Sequence, residues 1–252
     1  MKLKKAKGKT MKYLFFDYDG TLAYNGKISE ANIKALEKAR AAGHKIFLHT
    51  GRSKANVPDE VFYDIVWDGM ICGKGYMEYN GRVLFEYTLS SDVLIRALKY
   101  CDEKDVRILW EGVERVYSNR PNEWLVDIYE HLLAADSLRI TNLQIAGPMP
   151  ERDKALFSDV ELCCFSGYSE ISPKGITKST GLKIFEKEIG VSHSDIIVFG
   201  DSENDLEMVE YAETSVIMNH APSMLWKYAA LRTDSDENGV AEGIEKILFN
   251  TK

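Results

Sequence analysis

Three uninterrupted apolar runs, Tyr-Leu-Phe-Phe at 13–16, Ile-Phe-Leu at 46–48 and Ile-Ile-Val-Phe at 196–199, each stop at polar residues and a glycine-containing turn. Short continuous runs of this kind suit strands that are buried on both faces, because no position alternates toward water. The first run ends in Asp17, ahead of Asp19 and Gly20. The second ends in His49 and Thr50, ahead of Gly51 and Arg52, and the third leads through Gly200 into Asp201. Between the first two runs, Ser29 is placed to cap a helix over 30–42, Ile33, Leu36 and Ala39 recur three apart, and Gly43 is a natural stop. Strand, helix and strand in that order predict a right-handed parallel crossover, with both polar turns opening on one sheet edge.

A further strand is expected over 65–72, and Tyr79-Asn80-Gly81-Arg82 reads as a tight hairpin turn. From about 88 to 165 the rhythm changes. It predicts a helix over 91–104, two short strands around Glu111-Gly112, a helix over 122–133, a strand over 138–145, then a short helix and a strand. After Lys174 the alternation returns, with helices over 176–189, 204–212 and 222–230, strands over 195–200 and 215–218, and a last helix from Val240. The fold class expected is α/β: a parallel-sheet core over 11–84 and 167–252, interrupted by an α+β cap over 85–166 and preceded by a basic disordered tail over 1–10.

With 252 residues, 45% of them hydrophobic and 28% charged, the chain has the composition of a soluble globular protein with room for a core and an insertion. A net charge of -7 argues against nucleic acid as a partner, whose phosphates are met by basic surfaces. Cys72, Cys101, Cys163 and Cys164 show no metal or disulfide spacing and read as reduced. The five lysines of the first ten residues precede no apolar segment, and no 18-residue apolar stretch follows. A cytoplasmic protein with no membrane partner is the expectation, as a monomer or homodimer.

Asp17 and Asp19 lie two apart in Asp-Tyr-Asp-Gly-Thr at 17–21. On extended backbone, residues i and i+2 project to the same side, so both carboxylates can face one bound group while Gly20 lets the chain wrap around it. One can attack while the other moves protons, provided a metal neutralises the phosphoryl oxygens, and magnesium suits such an oxygen-rich site. Gly-Asp-Ser-Glu-Asn-Asp at 200–205 brings Asp201 and Asp205 to the same presumed edge, as metal ligand and as ligand or anchor, with Asn204 beside them. Carboxylates crowd in this way only around a cation. Thr50 can donate to a phosphoryl oxygen, and Lys178, expected at the start of the helix that follows Pro173-Lys174-Gly175, can add a point charge.

In this order the four motifs resemble those of the haloacid dehalogenase-like hydrolases, most closely the Cof-type phosphatase branch, over roughly 11–250. The resemblance implies a Rossmann-like core with a large α/β cap and a magnesium-dependent phosphatase acting on a small phosphorylated metabolite, such as a sugar phosphate. It implies Asp17 as the nucleophile that carries an aspartyl-phosphate and Asp19 as the general acid and base. Thr50, Gly51, Lys178 and Asn204 become phosphate contacts, and Asp17, the main-chain carbonyl of Asp19, Asp201 and Asp205 become the Mg2+ site. Cys72-Gly73-Lys74-Gly75 departs from the family pattern, where Asn-Gly is frequent, and Lys74 reads as an exposed residue paired with Glu78.

Each motif alone has a plainer explanation: a turn, a helix cap, a solvated lysine. Their joint placement favours chemistry. The five histidines, 44, 49, 131, 193 and 220, have no ligand spacing, and His49 adjoins the motifs only by sequence. Asp234, Asp236, Asn238, Gly239 and Glu245 match a calcium-loop pattern, but the flanks read as a strand and a helix start, which leaves an exposed acidic turn. In the cap, Asp92, Trp110, Glu111, Arg115 and Tyr117 are candidates for substrate contact without an assigned role. A phosphosugar mutase or phosphotransferase on the same scaffold, and a non-catalytic metal- or phosphate-binding module, are the alternatives.

Overall fold

Ser29 caps the first helix as its sequence predicts: its hydroxyl accepts from the amide of Asn32 at 3.2 Å, and Glu30 pairs with Lys34 one turn on. The helix runs Glu30–Ala41, and Gly43 turns the chain away at φ +89°, a left-handed value that glycine adopts without strain. The structure, a computed structural model, describes residues 10–249, so the basic tail read over 1–10 lies, apart from Thr10, outside the described residues. The described residues up to Phe47, together with those from Ile189 onward, form one compact unit, and Leu48–Glu188 form a second.

In the first unit the strands Leu231–Arg232, Thr214–Ile217, Ile196–Gly200 and Tyr13–Phe16 lie side by side in that order, all parallel. Leu14, Phe15, Phe16, Val198 and Phe199 are wholly buried, which is why their sequence shows no polar alternation. Phe15 stacks on Phe47 and Phe16 packs on Phe199, both at 4.5 Å between centroids; each such side chain contributes roughly 2–3 kcal/mol by leaving water. Phe16 pairs in register with Phe199, so the two strands end level and their following turns, at Asp17 and at Asp201, open at the same edge. Asn32, wholly buried, ties this edge to the end of the chain. Its amide nitrogen donates to Leu22 O at 3.2 Å and Glu237 O at 3.1 Å, and its oxygen accepts from Ala241 N at 2.9 Å.

The second unit contains the predicted ribbon Gly69–Cys72, Tyr76–Tyr79, Arg82–Glu86, which turns at Asn80 and Gly81 with both φ angles positive. It also contains the α+β insertion, a mostly antiparallel six-stranded sheet in the order Val126–Asp127, Val116–Ser118, Ile108–Gly112, Ile140–Ala146, Tyr168–Ser172, Glu161–Cys164. Helix Ser91–Glu103 covers it, burying Leu94, Ala97 and Cys101 with Trp110, Leu143, Phe157 and Ile171. The strand Tyr168–Ser172 belongs to this sheet, which therefore runs beyond 166. The α/β class, with a parallel core and an inserted α+β layer, is as expected.

The helix expected over 122–133 does not form. Asn122 Oδ1 accepts from the amides of Trp124 and Leu125 and Asp127 Oδ1 from that of Tyr129, local bonds that compete with helical ones. A 3-10 stretch, Tyr129–Ser137, follows instead. The helix expected over 176–189 begins only at Thr180, whose hydroxyl accepts from Thr177 N, so Lys178 stands in the turn before the helix. The helix expected over 222–230 is a single turn, Ser223–Trp226. No helix among the described residues is long and apolar enough to cross a membrane.

Replacing Asn32 by alanine strands the buried carbonyl of Leu22 and removes the partner of Glu237 O and of the Ala241 amide. Chemical denaturation of Asn32→Ala is expected to show a loss of roughly 2–4 kcal/mol. Asn32→Asp, which sets a carboxylate against two carbonyls, should be no more stable.

Candidate active site

Asp17 follows the last residue of its strand, and its amide donates to Phe199 O at 3.0 Å. The chain then doubles back, with Leu22 N donating to Asp17 O, Ala23 N to Tyr18 O and Gly20 N to Ala23 O. Gly20 is required at this point. Its φ is +89°, and a Cβ there would lie 2.3 Å from Asp201 Oδ2. Thr21, wholly buried, donates from Oγ1 to Asp201 Oδ1 at 2.7 Å, so the two acidic motifs are bonded to each other.

Asp205 is wholly buried. One of its carboxylate oxygens accepts from the amides of Asp201 and Ser202 at 2.9 and 3.0 Å, and Ser202 caps the turn Glu203–Asp205. This bonding holds the 201–205 loop in shape and aims Asp201. Asp17, Asp201 and Asp205 each bring a carboxylate oxygen within 4.8 Å of the others, and all three are buried. Burial pushes the Asp201 carboxyl up to about 6, with the charge of Asp205 adding and bonds from Thr21 and His220 opposing. A divalent cation relieves that penalty, and an all-oxygen donor set fits a hard one. Asp19, by contrast, is exposed. Asn204, half-buried, accepts from Ser202 Oγ at 2.9 Å.

Two members of this site were not singled out from sequence. Thr21 could have been found from its place in the first acidic motif. His220, whose Nε2 lies 3.2 Å from Asp201 Oδ2 and whose Nδ1 lies 3.1 Å from Asp236 Oδ1, sits in no recognisable spacing. Asp236 is thereby engaged, and Asp234 pairs with Lys246 and Glu245 with Lys38, so the carboxylates of the calcium-loop pattern are engaged with protein side chains.

In the second unit, Thr50 and Lys178 are both buried, at 2% and 1% exposure. A lysine so deeply buried suits an anion-binding role. Thr50 Oγ1 accepts from Arg52 N at 3.1 Å, shaping the turn that includes Gly51. His49 is wholly buried and driven well below its usual range by burial and then by the charge of Lys178, so it stays neutral; it stands close to Lys178, a proximity that sequence alone did not reveal. Lys74 is not the exposed partner of Glu78. It is 4% exposed at φ +58°, and its ammonium lies 2.7 Å from Glu170 Oε1. Glu78 instead takes Lys54 at 2.7 Å and the Tyr76 hydroxyl at 2.6 Å. Trp110 is wholly buried in the core of the inserted layer.

A family model described as haloacid dehalogenase-like hydrolase matches residues 14–145 and 162–244. The chain is 26% identical to the 5-amino-6-(5-phospho-D-ribitylamino)uracil phosphatase YitU of Bacillus subtilis, over 95% of this chain and 98% of that protein. It is also 26% identical to a chloroplastic protein of Arabidopsis thaliana named endoribonuclease YBEY, over 94% of this chain but only 46% of that protein's length. Among solved structures, the subclass IIB sugar phosphatase BT4131 superposes with a TM-score of 0.78 at 25% identity, covering 94% of this chain and 98% of that one.

Adding a divalent cation to the metal-free protein at neutral pH is expected to raise its melting temperature. The metal concentration needed should climb as pH falls through about 6, where protons compete for Asp201. Asp201→Asn should abolish the effect, which a thermal melt series checks.

Proposed function

The chain belongs to the haloacid dehalogenase-like hydrolases, in the Cof-type phosphatase branch, and from that premise we propose that it hydrolyses small phosphate monoesters with Mg2+ through a phosphorylated Asp17. The buried trio Asp17, Asp201 and Asp205 carries this reading, because three carboxylates held together inside a protein call for a cation. Asp17, Asp201, Asp205 and the main-chain carbonyl of Asp19 would hold the ion. When bound, Mg2+ lowers the negative charge on the phosphoryl oxygens and on the nucleophile.

In this mechanism Asp17 attacks phosphorus and the ester oxygen departs, taking a proton from Asp19. Asp19 then accepts a proton from the water that attacks the aspartyl-phosphate, which frees Asp17 and inorganic phosphate. Thr50, the Gly51 amide, Lys178 and Asn204 hold the phosphoryl oxygens, where their donors offset developing charge. The inserted layer, read as a cap over 85–166, selects the ester. The substrates named for YitU and for BT4131, a phosphorylated ribityl compound and sugar phosphates, support a small polyol or sugar phosphate as substrate. The protein works in the cytoplasm as a monomer or homodimer, without a nucleic-acid or membrane partner.

Release of inorganic phosphate from an aryl phosphate is expected to require Mg2+ and to fall by about a thousandfold or more in Asp17→Asn. Asp19→Asn should lose about a hundredfold or more. Wild-type turnover in Asp17→Asn would sink the nucleophile assignment.

A further inference from the structure

The turn that follows the second core strand is held from outside its own segment. Gly73 N donates to Thr50 O at 3.2 Å and to Arg52 O at 2.7 Å. Two neighbours on the inserted sheet complete the grip. Asn142 Nδ2 reaches Gly51 O at 3.5 Å, and the Glu111 carboxylate accepts from Ser53 N at 3.1 Å and from Asn56 Nδ2 at 2.8 Å. Glu111 and Asn142 face each other across paired antiparallel strands, and the one proton of Thr141 Oγ1 is placed between the Glu111 main-chain carbonyl at 3.2 Å and Asn142 Oδ1 at 3.0 Å, which ties the Asn142 side chain to the sheet. Gly73 fits under them only as glycine: its φ is +55°, and a Cβ would lie 2.5 Å from Asn142 Oδ1 and from Thr141 Oγ1.

Glu111 is 2% exposed and Ser53 wholly buried. A carboxylate placed there is expensive, since burial pushes its carboxyl up, donors from Ser53 and Asn56 pull it back, and the charge of Glu170 adds to the rise. An apolar side chain would fill the space with no such penalty but would leave the Ser53 amide without its acceptor. We infer that Glu111 is a positioning residue: by holding Ser53 and Asn56 it sets the 50–53 turn, and through it the phosphate-binding donors Thr50 and Gly51. This rests on the phosphate-binding reading of Thr50. It makes the inserted layer a determinant of phosphate affinity as well as of substrate choice.

The full-length enzyme tests this with inorganic phosphate as a competitive inhibitor of aryl phosphate hydrolysis. Glu111→Asp keeps the charge but withdraws the carboxylate by one methylene, and is expected to weaken phosphate inhibition and lower kcat/KM about tenfold. Glu111→Gln keeps the reach and, with the Asn56 amide turned over, both hydrogen bonds; it should stay within about threefold of wild type. Thr50→Val should also weaken phosphate inhibition, and adding Glu111→Asp to it should cost little more, because the two act through one turn. The inference is overturned if Glu111→Asp inhibits like wild type whatever its melting temperature, if Glu111→Gln is impaired as much as Glu111→Asp, or if the two losses multiply in the double variant. Wild-type inhibition in Thr50→Val alone would instead remove the reading of Thr50 on which the inference stands.

Discussion

Crowding three carboxylates into a buried space is the constraint on which the first unit depends. Left to themselves, Asp17, Asp201 and Asp205 repel one another, and burial adds to the cost by disfavouring the charged form of Asp201. The local structure is arranged to hold them there regardless. Parallel strands paired at Phe16 and Phe199 end level, Gly20 makes room for the Asp201 carboxylate, Thr21 bonds it, and Asp205 is fastened to two amides of its own loop. Such preorganisation keeps the ligand oxygens from relaxing apart and reserves the gain in free energy for a bound cation.

The division of labour proposed for the two aspartates of the first motif is matched by a difference in their settings. Asp17 is 3% exposed and bonded through its amide into the sheet, which suits a group that must hold one position. Asp19, two residues on, is exposed, the setting in which the proposed proton transfer to and from water is possible. The inserted layer follows a different logic. Its antiparallel sheet has its own apolar core around Trp110, Leu143 and Phe157, and its buried polar side chains, Glu111, Asn142 and Glu170, are engaged with the turns at 50–53 and 73–75.

Much of this was legible in the sequence wherever a short segment decides its own structure. Unbroken apolar runs identified the buried strands, Ser29 and Gly43 bounded the first helix, and Asn80-Gly81 marked the hairpin. The acidic trio followed from two motifs at strand ends. What remained hidden depends on partners distant in the chain. The pairing of Lys74 with Glu170, the closeness of His49 to Lys178 and the contact of His220 with Asp201 have no local signature. The helix misread over 122–133 failed for a local reason that composition masks, since Asn122 and Asp127 satisfy amides that a helix would need.

The central claim is that catalysis passes through a phosphoryl group on Asp17. Its most direct test is peptide mapping by mass spectrometry of the Asp19→Asn protein, acid-quenched during turnover with Mg2+, since loss of the proton acceptor slows hydrolysis of the intermediate. One phosphoryl group on the peptide that carries Asp17 is the predicted result. Turnover with no phosphorylated peptide, or with the group on another residue, would contradict it.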